Sequence, residues 1–83
     1  MNLIDLMKRD RARIEKTRTI VKIHISGDVS RQFMKDPPLR DYDPGARTLL
    51  GFPMEVHLHQ VEAYWFEDVN GQKIAGSDPA LGP

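Results

Sequence analysis

The chain has 83 residues, which is enough for one small domain but not for two separate hydrophobic cores. At 40% apolar and 29% charged residues, with 12 basic and 12 acidic side chains, it has the composition of a soluble globular protein rather than of a disordered tract. It has no cysteine, which excludes disulfides and thiolate metal sites, and no run approaches the ~20 apolar residues that span a bilayer. We therefore expect a cytoplasmic protein that does not contact a membrane.

The N-terminal segment predicts a helix over residues 3–16, with Asn2 as a candidate cap. Leu3, Met7 and Ile14 fall on one stripe at helical spacing, and the segment contains neither glycine nor proline. Asp10 occupies a position that should continue the apolar stripe. We expect the first two turns of this helix to pack well and its second half to be largely solvated.

Residues 18–26 predict a strand because apolar and polar residues alternate and several are β-branched. Val21, Ile23 and Ile25 are expected to face the core, which leaves His24 on the polar face.

A long connection, residues 27–53, is predicted to hold two short helical elements. The first covers 29–35, with Asp28 as its cap and Pro37-Pro38 as its stop. The second is a helical turn that begins at Asp43-Pro44 and ends at Leu50. A connection of this length in a small domain usually contains such elements or carries function.

The segment 54–75 is predicted to be β-structure. Apolar and polar residues alternate from Met54 to His59, and Asn70-Gly71 is a strong hairpin signal because both residues tolerate the positive φ of a type I′ turn. The phase of the alternation changes near 60–62, which a bulge or tight turn would explain, with a helical turn as the alternative. The predicted strands are 54–60, 62–69 and 72–76.

These elements predict an α+β fold in which the N-terminal helix packs on a three- to four-stranded antiparallel sheet. A single domain is expected over residues 1–76, followed by a frayed tail over 77–83.

The consecutive aromatics Tyr64, Trp65 and Phe66 suggest an interaction surface. Neighbouring strand residues point to opposite faces, so Trp65 lies on the outer face if its two neighbours are buried. An exposed Trp is a frequent interface anchor, and an open sheet edge offers a route to a homodimer. The predicted protein-binding residues, taken from this face and from the long connection, are Trp65, Tyr42, Arg47 and Phe52.

The basic stripe of the N-terminal helix indicates an alternative, nucleic-acid binding. Its residues, at spacing i, i+4, i+7, are Arg9, Arg13 and Lys16. Clustered cations of this kind neutralise phosphates, so DNA or RNA binding through the helix would weaken steeply with salt.

A metal site is the second alternative. His57 and His59 project from one face of a strand, and His24 would join them if the two strands are neighbours. The pattern Gly51-x5-His57-x-His59-x2-Glu62 resembles the first metal-binding motif of the cupin family, whose second motif is absent here. The resemblance implies His57, His59 and Glu62 as metal ligands.

No nucleophile motif and no glycine-rich phosphate loop occurs, so we expect a non-enzymatic protein without a cofactor. The segment Thr48–Val56 resembles a turn-to-strand segment of tailed-bacteriophage structural proteins. That resemblance implies a phage or mobile-element protein in the host cytoplasm. The leading hypothesis is thus a small protein-binding module that acts in assembly or as an inhibitor that occludes a host defence protein.

Overall fold

The computed structural model describes residues 3–38 and 40–77. Within these ranges the chain forms two helices and six strands, which in chain order are α1 Leu3–Ile14, β1 Ile20–Ser26, α2 Gly27–Lys35, β2 Tyr42–Asp43, β3 Thr48–Leu49, β4 Phe52–His57, β5 Tyr64–Asp68 and β6 Lys73–Ala75. The strands form one sheet in the order β2-β3-β4-β1-β5-β6. The predicted α+β class is confirmed, but the predicted antiparallel sheet of three to four strands is wrong.

The sheet is mixed because β1, near its centre, runs parallel to β4 and antiparallel to β5. Parallel neighbours need a long crossover, and the segment between β1 and β4 supplies it with α2 and the β2–β3 hairpin. The shorter connection from β4 to β5 passes over the C-terminal end of β1, where the Ser26 N–H donates to the Ala63 carbonyl at 2.9 Å. Alternation in the sequence identifies strands but not their direction, which explains the wrong prediction.

Both helices contribute to the core on one face of the sheet. Eleven apolar side chains are buried in one cluster: Met7, Ile14, Ile20, Ile23, Ile25, Val29, Phe33, Leu49, Leu50, Tyr64 and Phe66. In α1, Asp10 is buried together with Met7 and Ile14. The buried side of the helix therefore extends to its C-terminal end and includes a carboxylate, and the prediction that its second half is largely solvated is wrong. The opposite face of the sheet carries polar groups and Trp65.

Strand β1 contains an irregularity that the alternating pattern did not predict. The pairing with β5 shifts between Ile20 and Lys22, so Val21 is an extra residue that is 37% exposed while Ile20 is 5% exposed. The prediction that Val21 faces the core is therefore wrong. Ile23 and Ile25 are fully buried, as predicted.

Helix α2 begins two residues earlier than predicted because its cap is Ser26, not Asp28. The Ser26 backbone is extended and its hydroxyl accepts a hydrogen bond from the Val29 N–H at 3.2 Å. Buried Val29 and Phe33 confirm the predicted apolar face of the helix.

The helical turn predicted from Asp43 to Leu50 is wrong, since this stretch forms the β2–β3 hairpin. Asp43 still acts through its carboxylate, but it accepts a hydrogen bond from the Ala46 N–H within the hairpin loop at 3.1 Å. Arg47, in the middle of this stretch, adopts a positive φ of 56°, which the interior of a right-handed helix does not contain.

The predicted hairpin at Asn70-Gly71 is confirmed, with Phe66 opposite Ile74. The turn is longer than a two-residue turn, because the strand pairing ends at Glu67 and Lys73 and the Asp68 N–H donates to the Gln72 carbonyl. It is also not of type I′, because Gly71 has a φ of 77° whereas Asn70 is not among the residues with positive φ. Asp68 organises the turn, since its carboxylate accepts hydrogen bonds from the N–H groups of Asn70 and Gln72 at 2.9 and 2.8 Å.

Two further predictions concern chain segments outside regular structure. Strand β4 ends at His57, so residues 58–60 are not a strand, and the phase change falls in a turn as one of the alternatives predicted. Of the predicted tail, Ser77 hydrogen-bonds to Asp10 through its N–H and its hydroxyl, both at 2.8 Å. Residues 78–83 lie outside the described part of the chain.

Candidate functional site

Polar side chains from three adjacent strands meet on the sheet face that the helices leave uncovered. In the central strand, His24 is opposite Glu55 of β4 and opposite Trp65 of β5, and His57 and Glu67 lie on the same face. We call these five residues, His24, Glu55, His57, Trp65 and Glu67, the histidine cluster. The prediction that Trp65 lies on the outer face is confirmed, since Tyr64 and Phe66 are 1% and 0% exposed on the opposite face. His24 and His57 also lie on the outer face, as predicted, but His59 lies in the turn after β4.

His24 is the centre of this cluster and is 4% exposed. Its Nδ1 lies 2.8 Å from Nε2 of His57, and its Nε2 lies 2.8 Å from Oε1 of Glu67. The imidazole stacks on the indole of Trp65, with ring centroids 3.7 Å apart and planes 5° from parallel. Contacts on its edge and on its face therefore fix the orientation of the His24 ring.

The hydrogen-bond partners define one arrangement of protons for a neutral His24. The ionised carboxylate of Glu67 only accepts, so His24 donates to it from Nε2. A neutral His24 then has a lone pair on Nδ1, which accepts the Nε2–H of His57. Two hydrogen bonds thus connect Glu67, His24 and His57. They join a carboxylate, a buried imidazole and a second imidazole, that of His57, whose side chain is 38% exposed.

Trp65 is half-buried rather than fully exposed, because its neighbours hold it against the sheet. Its indole N–H donates to Oε1 of Gln60 at 2.8 Å, and the Lys73 ammonium lies 5.2 Å from the ring centroid. Lys73 also pairs with Glu62 at 3.0 Å, and this hydrogen bond holds the pKa of Glu62 below its usual value.

One set of side chains among residues 3–38 and 40–77 has the geometry to hold a metal ion. It consists of His24, Glu55 and His57, whose ligand atoms all lie within 4.8 Å of one another. Two of the three predicted histidines are thus brought together, but His59 lies in the turn after β4 and does not belong to the set. The ligands implied by the cupin motif, His57, His59 and Glu62, do not form such a group.

An open groove of about 570 Å³ adjoins the cluster where β4 passes into its loop. We call it the rim groove, and its lining residues are Val56, His57, Leu58, His59, Gln60 and Trp65. Leu58 is 74% exposed, and Val61 in the same loop is 95% exposed. With Val56, which is 38% exposed, three apolar side chains of this stretch face solvent, and two of them, Val56 and Leu58, line the rim groove with the indole of Trp65.

The other predicted protein-binding residues do not share a face with Trp65. Tyr42 and Phe52 are partly buried and pack against the core, and the Tyr42 ring lies 5.2 Å from that of Phe33. Both are aligned with buried Leu49 across the β2–β3–β4 ladder, which places them on the core face. Arg47 is exposed in the hairpin loop.

The predicted nucleic-acid residues lie on or just after α1. Arg9 and Lys16 are exposed, and the Arg13 guanidinium lies 3.6 Å from the buried carboxylate of Asp10. One of the three cations is therefore already paired within the chain.

Four residues of this region are absent from the predicted sites: Glu55, Glu67, Leu58 and Val61. The positions of the two glutamates could have been predicted, because each occupies an outward position in a strand of alternating polar and apolar residues. Leu58 falls within the predicted strand 54–60 and Val61 falls between two predicted strands, and only the end of β4 at His57 reveals that both belong to one loop.

Comparisons with known proteins assign this chain to no family: no family model matches it, and no curated protein or solved structure matches it either. Of the helices in residues 3–38 and 40–77, neither is long and apolar enough to cross a membrane.

Proposed function

We propose that this chain is a non-enzymatic protein-binding module that uses the rim groove and the adjoining tip of the β4–β5 loop as its contact surface. The observation that carries the proposal is the exposure of two apolar side chains of one loop, Leu58 at 74% and Val61 at 95%, of which Leu58 lines the rim groove together with the half-buried Trp65. Single exposed apolar residues are normal, but several apolar residues that line one concave surface, here Val56, Leu58 and Trp65, are typical of an interface.

The loop is held in place before any partner arrives. The Gln60 N–H donates to the His57 carbonyl at 3.2 Å, and the Gln60 side chain donates to the Glu62 carbonyl at 2.7 Å while accepting from Trp65. At its base, Ala63 accepts the hydrogen bond from Ser26. A loop organised in this way loses little conformational freedom when it binds, which favours affinity.

The surface fits a folded protein that presents an apolar side chain to the groove. Val56, Leu58 and Trp65 supply the apolar lining, while His57 and His59 offer hydrogen-bonding groups at the same opening. An apolar centre with polar groups around it is the usual composition of a protein interface. The two roles considered above, assembly component and inhibitor of a host protein, both require such a surface.

The proposal is tested with matched valine variants. Val61→Ser changes the loop tip, and Val69→Ser changes a valine that is 65% exposed in the β5–β6 turn. Both variants and the wild type are immobilised and exposed to lysate of the organism that encodes the chain. We expect a partner that the wild type and Val69→Ser retain at equal levels and that Val61→Ser loses, followed by direct titration of the purified partner.

The results also separate the alternatives. A partner that all three proteins retain equally, or the absence of any partner, would contradict the proposal. Light scattering of the purified chain shows whether the partner is a second copy, in which case Val61→Ser shifts the dimer towards monomer. The identity of a captured protein, a virion component or a host enzyme, decides between assembly and inhibition.

A further inference from the structure

The geometry of the histidine cluster points to a site for one divalent transition-metal ion, and we propose that His24, Glu55 and His57 are its ligands. Nδ1 of His24 and Nε2 of His57 are 2.8 Å apart. The Glu55 carboxylate approaches both, with one oxygen 3.9 Å from the His24 nitrogen and the other 3.7 Å from the His57 nitrogen. The site shares His57 with the lining of the rim groove, but it includes neither Leu58 nor Val61, the two exposed side chains on which the proposed protein-binding function rests.

These separations are close to those that a bound ion requires. Zinc ligands lie about 2.0–2.2 Å from the metal, so two ligand atoms of a tetrahedral site are about 3.4 Å apart. The two imidazole nitrogens must separate by roughly 0.5 Å, and the carboxylate must move inward by a similar amount. His57 must also carry its proton on Nδ1, which leaves the Nε2 lone pair free for the ion.

Glu67 and Trp65 prepare His24 for this role. A metal-binding histidine usually donates its other ring N–H to a carboxylate, and Glu67 accepts that bond from Nε2 of His24 at 2.8 Å. The Nδ1 lone pair of His24 then points towards Glu55 and His57. Stacking on Trp65 prevents the ring from turning away, so this nitrogen is oriented before the ion binds.

The donor set selects the class of ion. Two imidazole nitrogens and one carboxylate oxygen suit Zn²⁺ and the neighbouring first-row divalent ions. Ca²⁺ and Mg²⁺ prefer sites built from oxygen atoms alone, so they should not compete. Three protein ligands leave at least one coordination position for water or for a group from another molecule.

The positive charge of Lys22 should lower the affinity of the site for a metal ion. Its ammonium lies 3.4 Å from Oε2 of Glu55, the same oxygen that lies 3.9 Å from His24. Binding must displace this ion pair, and the ammonium stays near the positive ion. Replacing Lys22 by glutamine should therefore tighten metal binding, which a merely structural role of the cluster would not produce.

The test uses the full chain, purified without an affinity tag and treated with a chelator. Equilibrium dialysis against Zn²⁺ should show one ion bound per chain. Co²⁺ provides a second readout, because a paramagnetic ion at His24 should quench the fluorescence of Trp65, the only tryptophan in the chain. Zn²⁺ should then compete with Co²⁺ and restore the fluorescence.

The variants assign the ligands. His57→Gln and Glu55→Gln should each weaken Zn²⁺ binding by at least about tenfold, whereas Lys22→Gln strengthens it. His59→Gln and Glu62→Gln change groups outside the set and should bind like the wild type. Circular dichroism of each metal-free variant checks folding, and Glu55→Gln carries the ligand test if His57→Gln is unfolded.

Three results would overturn the proposal. One is a wild-type chain that binds no Zn²⁺ in dialysis. Another is stoichiometric binding without Co²⁺ quenching of Trp65, which places the ion elsewhere. The third is an affinity that Glu55→Gln leaves unchanged, or that His59→Gln lowers as much as the ligand variants do.

Discussion

Asp10→Ala should destabilise the protein strongly, because Asp10 is a buried carboxylate that joins α1 to the sheet and to the end of the described chain. Asp10 is 2% exposed. One of its oxygens accepts hydrogen bonds from the Tyr64 hydroxyl and, at 2.8 Å, from the Ser77 N–H; the other accepts from the Ser77 hydroxyl at 2.8 Å. The Arg13 guanidinium is 3.6 Å away.

The size of the effect follows from the donors that lose their acceptor. Tyr64 is 1% exposed, so its buried hydroxyl would lose the acceptor of its proton, at a cost of about 1–3 kcal/mol. Ser77 is only half-buried, and water can replace part of what its two donors lose. We expect Asp10→Ala to lower the free energy of unfolding by about 3 kcal/mol, out of about 4–12 kcal/mol for a domain of this length.

Urea unfolding, followed by circular dichroism and by Trp65 fluorescence, measures this change. A double-mutant cycle with Tyr64→Phe isolates the buried hydrogen bond, and the coupling energy should exceed about 1 kcal/mol. Asp28→Ala is the control, since the Asp28 side chain is 88% exposed and its removal should leave stability nearly unchanged. Additive effects of the Asp10 and Tyr64 changes, or a loss no larger than that of the control, would refute the reasoning.

Three further predictions concern pH and close packing. Burial raises the pKa of Asp10, but the hydrogen bonds that it accepts outweigh burial and hold the pKa below its ordinary value. The stabilisation is therefore present above about pH 4 and is lost as pH falls through the lowered pKa, so Asp10→Asn should flatten the acid limb of a stability-versus-pH curve. Burial and the hydrogen bond to Asp10 raise the pKa of Tyr64 well above its ordinary value. Because the unfolded chain loses the Tyr64 proton first, the free energy of unfolding should fall above about pH 10. Tyr64→Phe should remove this alkaline part of the stability-versus-pH curve. Gly76→Ala would drive a methyl group into the Tyr64 ring and should cost about 1–3 kcal/mol in urea unfolding, whereas at Gly45 the same change makes an ordinary contact and should cost clearly less.

The sequence predicted most elements correctly because their signals are local. Alternation located β1, β4 and β5, and the Asn70-Gly71 pair located the hairpin that follows. The errors arose where long-range pairing outweighed local preference. Asp43-Pro44 suits the first turn of a helix, yet the chain closes a hairpin there because Leu49 is fully buried when it pairs beside β4.

The candidate site was predictable only in part for the same reason. Side-chain spacing within one strand suggested His57 with His59, but the structure groups residues across strands, and His24 meets His57 only because β1 and β4 are neighbours. Glu67 could not be assigned to His24 without the register of β5. Cross-strand partners depend on strand order, and no local pattern encodes that order.

The parallel direction of β4 is what brings the two proposed surfaces together. With His24 opposite Glu55, parallel pairing places His57 opposite Ser26, at the end of β1 where the loop crosses. If β4 were reversed about the same pair, as an all-antiparallel sheet requires, His57 would lie opposite Lys22 and the rim groove would open at the other end of β1.

Because His57 belongs to both the histidine cluster and the rim groove, His57→Gln should affect metal binding and partner binding together. Glu55→Gln and Val61→Ser separate the two functions. The former should weaken metal binding and spare the partner, and the latter should do the reverse, since each side chain belongs to only one of the two surfaces. Equal loss of both functions in both variants would indicate a single shared surface, with the metal ion as part of the protein interface.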